Sequence, residues 1–233
     1  MKFTGIRLIA KIKFVLVASI FAAISVNPAH SQQMWVDDAE ITTYPSFQLE
    51  TWYGSIESWF LPAISPLPCL ELSTGVSFDS DDDFRHTSWL FEGKVAPSFA
   101  ITDEHGFAMV AGFTTSPEIR TESAYLYVPY TRSILNNNSL LHVNLGYSAT
   151  RDEEWNHGVF YGIRADIDMG SRTQLLSEVF TTDFDTPGFQ AGVRVFLIDE
   201  LLDMDITYWR GFDSEVDEPG FNLGLAFTPP PLW

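Results

Sequence analysis

From Phe47 to Phe227 apolar and polar residues alternate with a period of two, and no segment in that range repeats with the 3.6-residue period of a long amphipathic helix. Successive side chains on a strand point to opposite faces, so a chain patterned this way folds into strands with one greasy and one polar side. In Cys69–Phe78, Leu70, Leu72, Thr74, Val76 and Phe78 share one face while Glu71, Ser73, Gly75 and Ser77 share the other. Leu141, Val143, Leu145 and Tyr147 oppose His142, Asn144, Gly146 and Ser148 in the same manner. Further on, Val159, Tyr161 and Ile163 are set against Gly162, Arg164 and Asp166, and Leu202, Met204 and Ile206 against Asp203, Asp205 and Thr207.

Carried along the chain, the pattern predicts strands near 46–53, 56–62, 69–78, 88–96, 106–114, 124–132, 139–149, 158–168, 173–181, 189–197, 202–209 and 220–228. Twelve strands result. Ten is the alternative count, because Trp59, Pro129 and Glu178 blur the apolar face of three of these segments. Connections on one side are mostly long and acidic (79–87, 115–123, 150–157, 182–188 and 210–219), while most of those on the other are short turns such as 65–68, 135–138, 169–172 and 198–201. Long outer loops alternating with short inner turns on an even strand count are the pattern of an antiparallel transmembrane β-barrel.

Alternation alone does not say which face is inside, since a soluble sandwich buries its apolar face and a membrane barrel turns it to lipid. Three features favour lipid. Most of the strands are eight to eleven residues long, near what a tilted strand needs to cross a bilayer. Aromatics stand at strand ends (Trp52, Tyr53, Phe78, Trp89, Phe113, Tyr147, Tyr208, Trp209, Phe227), as girdles at the membrane interfaces require. The polar face also mixes both signs of charge with Gly and Ser, which suits a crowded lumen. A soluble periplasmic β-protein is the competing reading.

Ahead of the strands, Lys2, Arg7, Lys11 and Lys13 precede an apolar run from Phe14 to Val26 and then Ala29-His30-Ser31, the order of a secretory signal peptide. The run is shorter than the roughly 20 residues of a membrane-crossing helix. The predicted organisation is a signal peptide over 1–31, an N-terminal periplasmic segment over 32–45, a barrel over 46–228 and a tail over 229–233. Removing the four basic residues of the signal moves the formal charge from -18 to -22. A surface that acidic argues against nucleic acid as a partner. Cys69, the one cysteine, cannot form an internal disulfide and is read as a small apolar residue in a strand.

The segment Gly220-Phe221-Asn222-Leu223-Gly224-Leu225-Ala226-Phe227 resembles the closing-strand signal of bacterial outer-membrane barrels, with Asn222, Gly224 and Phe227 at the matching positions. It departs from that signal by continuing through Thr228, three prolines, Leu232 and Trp233. The whole chain resembles small porin-like barrel proteins of Gram-negative bacteria. The resemblance implies an outer-membrane location, lipid and the barrel assembly machinery as partners, and no assigned chemistry.

Charges on the polar face are the candidate functional residues: Glu71, Glu92, Lys94, Arg164, Asp166, Glu178, Arg194, Asp203 and Asp205. An unpaired charge in a low-dielectric wall costs several kcal/mol, so such groups pair, hydrate or bind something. Either they form a structural ion-pair network, or they line a narrow conduit for small polar solutes and bias what passes. Acidic loops with Asp79, Asp81, Asp82 and Asp83, and with Asp213, Glu215, Asp217 and Glu218, could hold divalent cations weakly, but without the ligand order of a Ca²⁺ loop. No cofactor or metal site is expected. A hydrolase is the reading from another class. For a phospholipase-like site His142 and Asn144 stand two apart on one strand, but Asn is no nucleophile and both point to the polar face. For an omptin-like site His86 and His157 fall in outer loops beside Asp83 and Asp152, a coincidence that acidic loops favour.

Overall fold

A computed structural model describes residues 34–55, 57–80, 85–97, 102, 104–118, 120–135, 139–151, 153–181, 187–212 and 219–232, without the side chain of His86. All of its regular structure is β. The strands are β1 (Phe47–Gly54), β2 (Glu57–Leu67), β3 (Leu70–Asp79), β4 (His86–Val95), β5 (His105–Phe107), β6 (Met109–Thr115), β7 (Thr121–Ile134), β8 (Ser139–Arg151), β9 (Trp155–Gly170), β10 (Thr173–Phe180), β11 (Gly188–Ile198), β12 (Leu202–Gly211) and β13 (Gly220–Phe227). Each pairs antiparallel with its neighbours; β1 meets β13, and β7 joins both β6 and β8, so the sheet closes on itself.

β5 and β6 are two halves of one wall strand. Both pair with β7 in a common register, Phe107 opposite Tyr130 and Val110 opposite Tyr127, which sets Ala108 opposite Pro129. Ala108 N–H donates to Pro129 C=O at 3.1 Å, but proline has no N–H to return the bond, and the ladder breaks there. The barrel therefore has twelve wall positions, as the alternation predicts.

The greasy faces look outward. Leu72, Val143, Val193 and Ile206 are 44, 36, 42 and 41% exposed, whereas His142 and Gln190, on the opposite faces of the same strands as Val143 and Val193, are 1 and 0% exposed. The soluble sandwich fails on this observation, because its apolar face would be the inaccessible one. Two of the nine girdle aromatics are corrected. Trp52 is buried and points inward, as does Trp209 opposite the buried Gln190. Each adjoins an outward aromatic, Tyr53 or Tyr208, and two neighbours on a strand cannot share a face. Cys69 is also corrected: it lies exposed in the turn between β2 and β3.

Residues 34–45 do not hang in the periplasm. Val36 and Ala39 are 1 and 0% exposed, and the segment runs inside the barrel from the level of Phe180, at the outer end of β10, down to Pro45 at the inner rim. Val36 and Ala39 are the apolar residues that become buried, and polar partners on the wall satisfy the backbone they carry in with them. At the inner rim the C-terminal tail is tied to the same segment: Leu232 N–H donates to Pro45 C=O at 2.9 Å, and Ser46 Oγ donates to Pro229 C=O at 2.8 Å.

Candidate functional site

Among the described residues the inner face of the wall is where the alternation gathers polar chemistry, and all nine charges read from the sequence stand on it. Arg194, on β11, and Asp205, opposite it on β12, form a bidentate pair at 2.8 and 2.7 Å. Asp203 lies two residues from Asp205 on the same inward face. Glu92, on β4, accepts the Tyr125 hydroxyl at 2.6 Å from β7.

A second group is centred on β8 and β9. Arg164 holds Asp166 through Nε at 2.9 Å and Nη2 at 3.1 Å. Asp166 Oδ2 is 3.3 Å from His142 Nε2, and His142 Nδ1 is 2.9 Å from Thr131 Oγ1. Thr131 Oγ1 in turn accepts the Ala39 N–H at 2.8 Å. The Thr131 hydroxyl can donate to His142 Nδ1 while it accepts from Ala39, whereas the buried Nε2 approaches Asp166 without a hydrogen bond. Cross-strand register builds this line, since Thr131 stands opposite His142, and His142 opposite Arg164.

The remaining candidates hold the N-terminal segment. Glu178, on β10, accepts the backbone N–H groups of Trp35 and Val36 at 2.8 and 3.0 Å. Arg164 Nη1 donates to the Val36 carbonyl. Lys94 Nζ reaches Asp37 at 3.0 Å and Asp38 at 3.5 Å, and Tyr127 donates to Asp37 at 3.0 Å. In the orientation that satisfies both ends, the Asn144 amide accepts the Asp37 N–H at 2.8 Å and donates to the Asp37 carbonyl at 2.9 Å. Lower down, Glu71 accepts the Thr42 N–H at 2.6 Å. Lys94, Arg164, Asp166 and Glu178 are 5, 5, 2 and 2% exposed, so the lumen at their level is filled.

Residues 19–218 match the model of the family described as uncharacterised conserved protein UCP029691. The chain belongs to this family. No curated protein matches it. Among solved structures, the UCP029691 chain is similar to the NanC porin, with a TM-score of 0.60 at 9% identity over 78% of this chain and 100% of that one. It is similar also to the KdgM porin, with a TM-score of 0.58 at 8% identity over 79% of this chain and 99% of that one. The KdgM porin has been solved in complex with disordered oligogalacturonate as well. At these identities the likeness is one of fold. A closed antiparallel twelve-strand barrel with a greasy belt facing outward makes this UCP029691 member an outer-membrane barrel.

Of the closing-strand residues, Asn222 faces inward and is 5% exposed, Gly224 faces inward, and Phe227 stands opposite Leu49 and Leu202. Of the acidic-loop residues only Asp79 is described, 3.9 Å from Arg85; residues 81–84 and 213–218 lie outside the described residues. Among the described residues no cluster of His, Cys, Asp and Glu is arranged to hold a metal. His157 stacks on Tyr147, whose hydroxyl is 2.8 Å from its Nδ1, and Asp83 and Asp152 lie outside the described residues. His142 and Asn144 are buried inside the wall, away from lipid. Sequence reasoning missed the inner segment. The signal was present in Trp35-Val36-Asp37-Asp38, an apolar pair joined to an acidic pair in what otherwise reads as a linker.

Proposed function

We propose that this protein is a narrow, porin-like conduit for small polar solutes that prefers cations and is occluded in the state described. The inner wall carries the reading. Of the nine inner-wall charges read from the sequence, six are carboxylates (Glu71, Glu92, Asp166, Glu178, Asp203, Asp205) and three are cations (Lys94, Arg164, Arg194), in a closed twelve-strand barrel. Such an excess lowers the energy of cations and raises that of anions in the constriction. Twelve strands lie between the packed eight-strand barrels and the open channels of sixteen or more, which supports restricted passage. The same sign argues against carrying over the acidic ligand of the KdgM complex. Export through a cleaved signal peptide and recognition of β13 by the barrel assembly machinery belong to this reading, supported by the first 31 residues and by Asn222, Gly224 and Phe227.

Purified barrel reconstituted in planar bilayers under a KCl gradient tests it. The reversal potential should show K⁺ preferred over Cl⁻, Arg194→Gln should increase that preference and Glu178→Gln should reduce it. Silence at all voltages, with the inner segment both present and removed, would leave a structural barrel.

Hydrolysis is a second reading with one observation behind it, the Thr131–His142–Asp166 line, which has the connectivity of a nucleophile, a base and an orienting acid. Against it, the Thr131 hydroxyl already accepts the Ala39 N–H, and His142 is sealed from solvent. Turnover of phospholipid or peptide by purified barrel, abolished by His142→Ala, would restore it.

A further inference from the structure

We infer that the luminal wall is a peptide-binding site, occupied in this structure by the chain's own residues 35–39, and that it accepts other peptides carrying two adjacent carboxylates. The inference rests on the conduit reading only for what the site would control, not for its existence.

The contacts that define the site are to backbone. Glu178 takes two successive amide N–H groups, Arg164 takes the carbonyl between Val36 and Asp37, and Asn144 takes both backbone groups of Asp37. Thr131 takes the Ala39 N–H. Hydrogen bonds to the main chain supply affinity in peptide recognition and side-chain sites supply specificity, here on a segment bent at Trp35, Val36 and Ala39. Lys94 provides one such site by reaching the carboxylates of both Asp37 and Asp38. Gly162 provides the other: a Cβ built there would lie 2.5 Å from Val36 Cγ2, so the bare backbone of β9 is what admits the Val36 side chain. The wall is thus shaped to this segment in detail, by an absent side chain as well as by charged ones.

Chemistry narrows the ligand. Glu178 presents a buried carboxylate and needs hydrogen-bond donors, so a dicarboxylate that offers none would meet repulsion at the same place where a peptide finds two hydrogen bonds. A ligand with amides but no adjacent acids would leave Lys94 buried without its partners. Both requirements are met by a peptide of the class Trp-Val-Asp-Asp-Ala. Because the segment fills the lumen at this level, its departure and the entry of a second peptide would be alternative states of one conduit.

The test uses the folded barrel lacking residues 34–42 and a fluorescent peptide spanning residues 34–45, read by anisotropy, which requires no conduction. Saturable binding is expected, weakened at least about tenfold by Asp37→Asn with Asp38→Asn in the peptide or by Lys94→Met in the barrel. Gly162→Leu in the same barrel should abolish it. Should the deleted barrel fail to fold, full-length chain carrying Asp37→Asn and Asp38→Asn is expected to admit the labelled peptide where the parent chain does not. Absence of binding in both proteins, equal binding of the acidic and amide peptides, or displacement by succinate at the concentration that works for the peptide would overturn the inference. Peptide binding without conductance would instead sink the conduit reading and leave the peptide site standing.

Discussion

Arg164 is the residue on which the interior turns, because it joins a wall carboxylate to the backbone of the inner segment. It spends two N–H groups on Asp166 and a third on Val36, while only 5% exposed. Removing one partner of a buried ion pair leaves the other charge uncompensated and costs about 3–5 kcal/mol. Arg164→Met is therefore expected to destabilise the barrel by about that amount in urea titrations from lipid vesicles, and Arg164→Met with Asp166→Asn should recover much of the loss. A double variant no more stable than the single would show that Asp166 is not the group left stranded. At this scale the sequence was half legible. Period-two phase placed all nine charges inward, but phase says nothing of partners, and the pairing of Glu178 with two amides depends on a segment that has no phase of its own.

Strands were the most legible element because their signal is redundant: every second residue repeats the same information. The exceptions have local causes. Pro129 withholds an N–H and splits the strand opposite it at Ala108. The paired aromatics Trp52-Tyr53 and Tyr208-Trp209 offer two equally greasy neighbours, of which the pleat turns only one outward. Where the pleat does turn a residue to lipid, depth sets the cost of charge. Val193 stands mid-way along β11 (Gly188–Ile198), whereas Leu135 caps β7 at the inner rim. Val193→Arg is expected to cost about 2–4 kcal/mol in folding from urea into vesicles, and Leu135→Arg about 0–1 kcal/mol. Equal costs at the two depths would mean that the apolar belt does not lie in hydrocarbon.

The segment inside the lumen belongs to a different element class, held by wall contacts rather than by a ladder. Gly162→Ala tests this independence. The added Cβ would meet Val36 at 2.5 Å and, on the wall, Phe180 Cβ at 3.1 Å, so the strand can keep its pairing while the segment yields. Limited proteolysis of the folded barrel should then release residues near 34–42 faster than in the parent chain, with little change in the heat-shifted mobility that reports the closed wall. Loss of that mobility shift would place Gly162 in the wall's own packing instead.

Taken whole, the molecule is an acidic barrel: 31 Asp plus Glu against 13 Lys plus Arg in the full sequence, with six carboxylates against three cations among the nine inner-wall charges read from the alternation. Fixed charge of one sign around a narrow opening gathers counter-ions of the other sign, and the reach of that effect is the Debye length, about 3 Å at 1 M salt and about 30 Å at 0.01 M. At high salt the wall charge is screened within an ion's own width, and current should follow bulk conductivity. At low salt the opening should be filled with K⁺ drawn in by the wall, independent of the bath. Conductance of the barrel lacking residues 34–42 is therefore expected to fall much less than proportionally as KCl is lowered from 1 M to 0.01 M. Replacing Asp203 and Asp205 with Asn, which leaves Arg194 without its counter-charge, should bring the dependence back toward proportionality. A strictly proportional fall in the parent wall would mean that its carboxylates are neutralised by their neighbours, and that the charge excess counted along the chain never reaches the path of an ion.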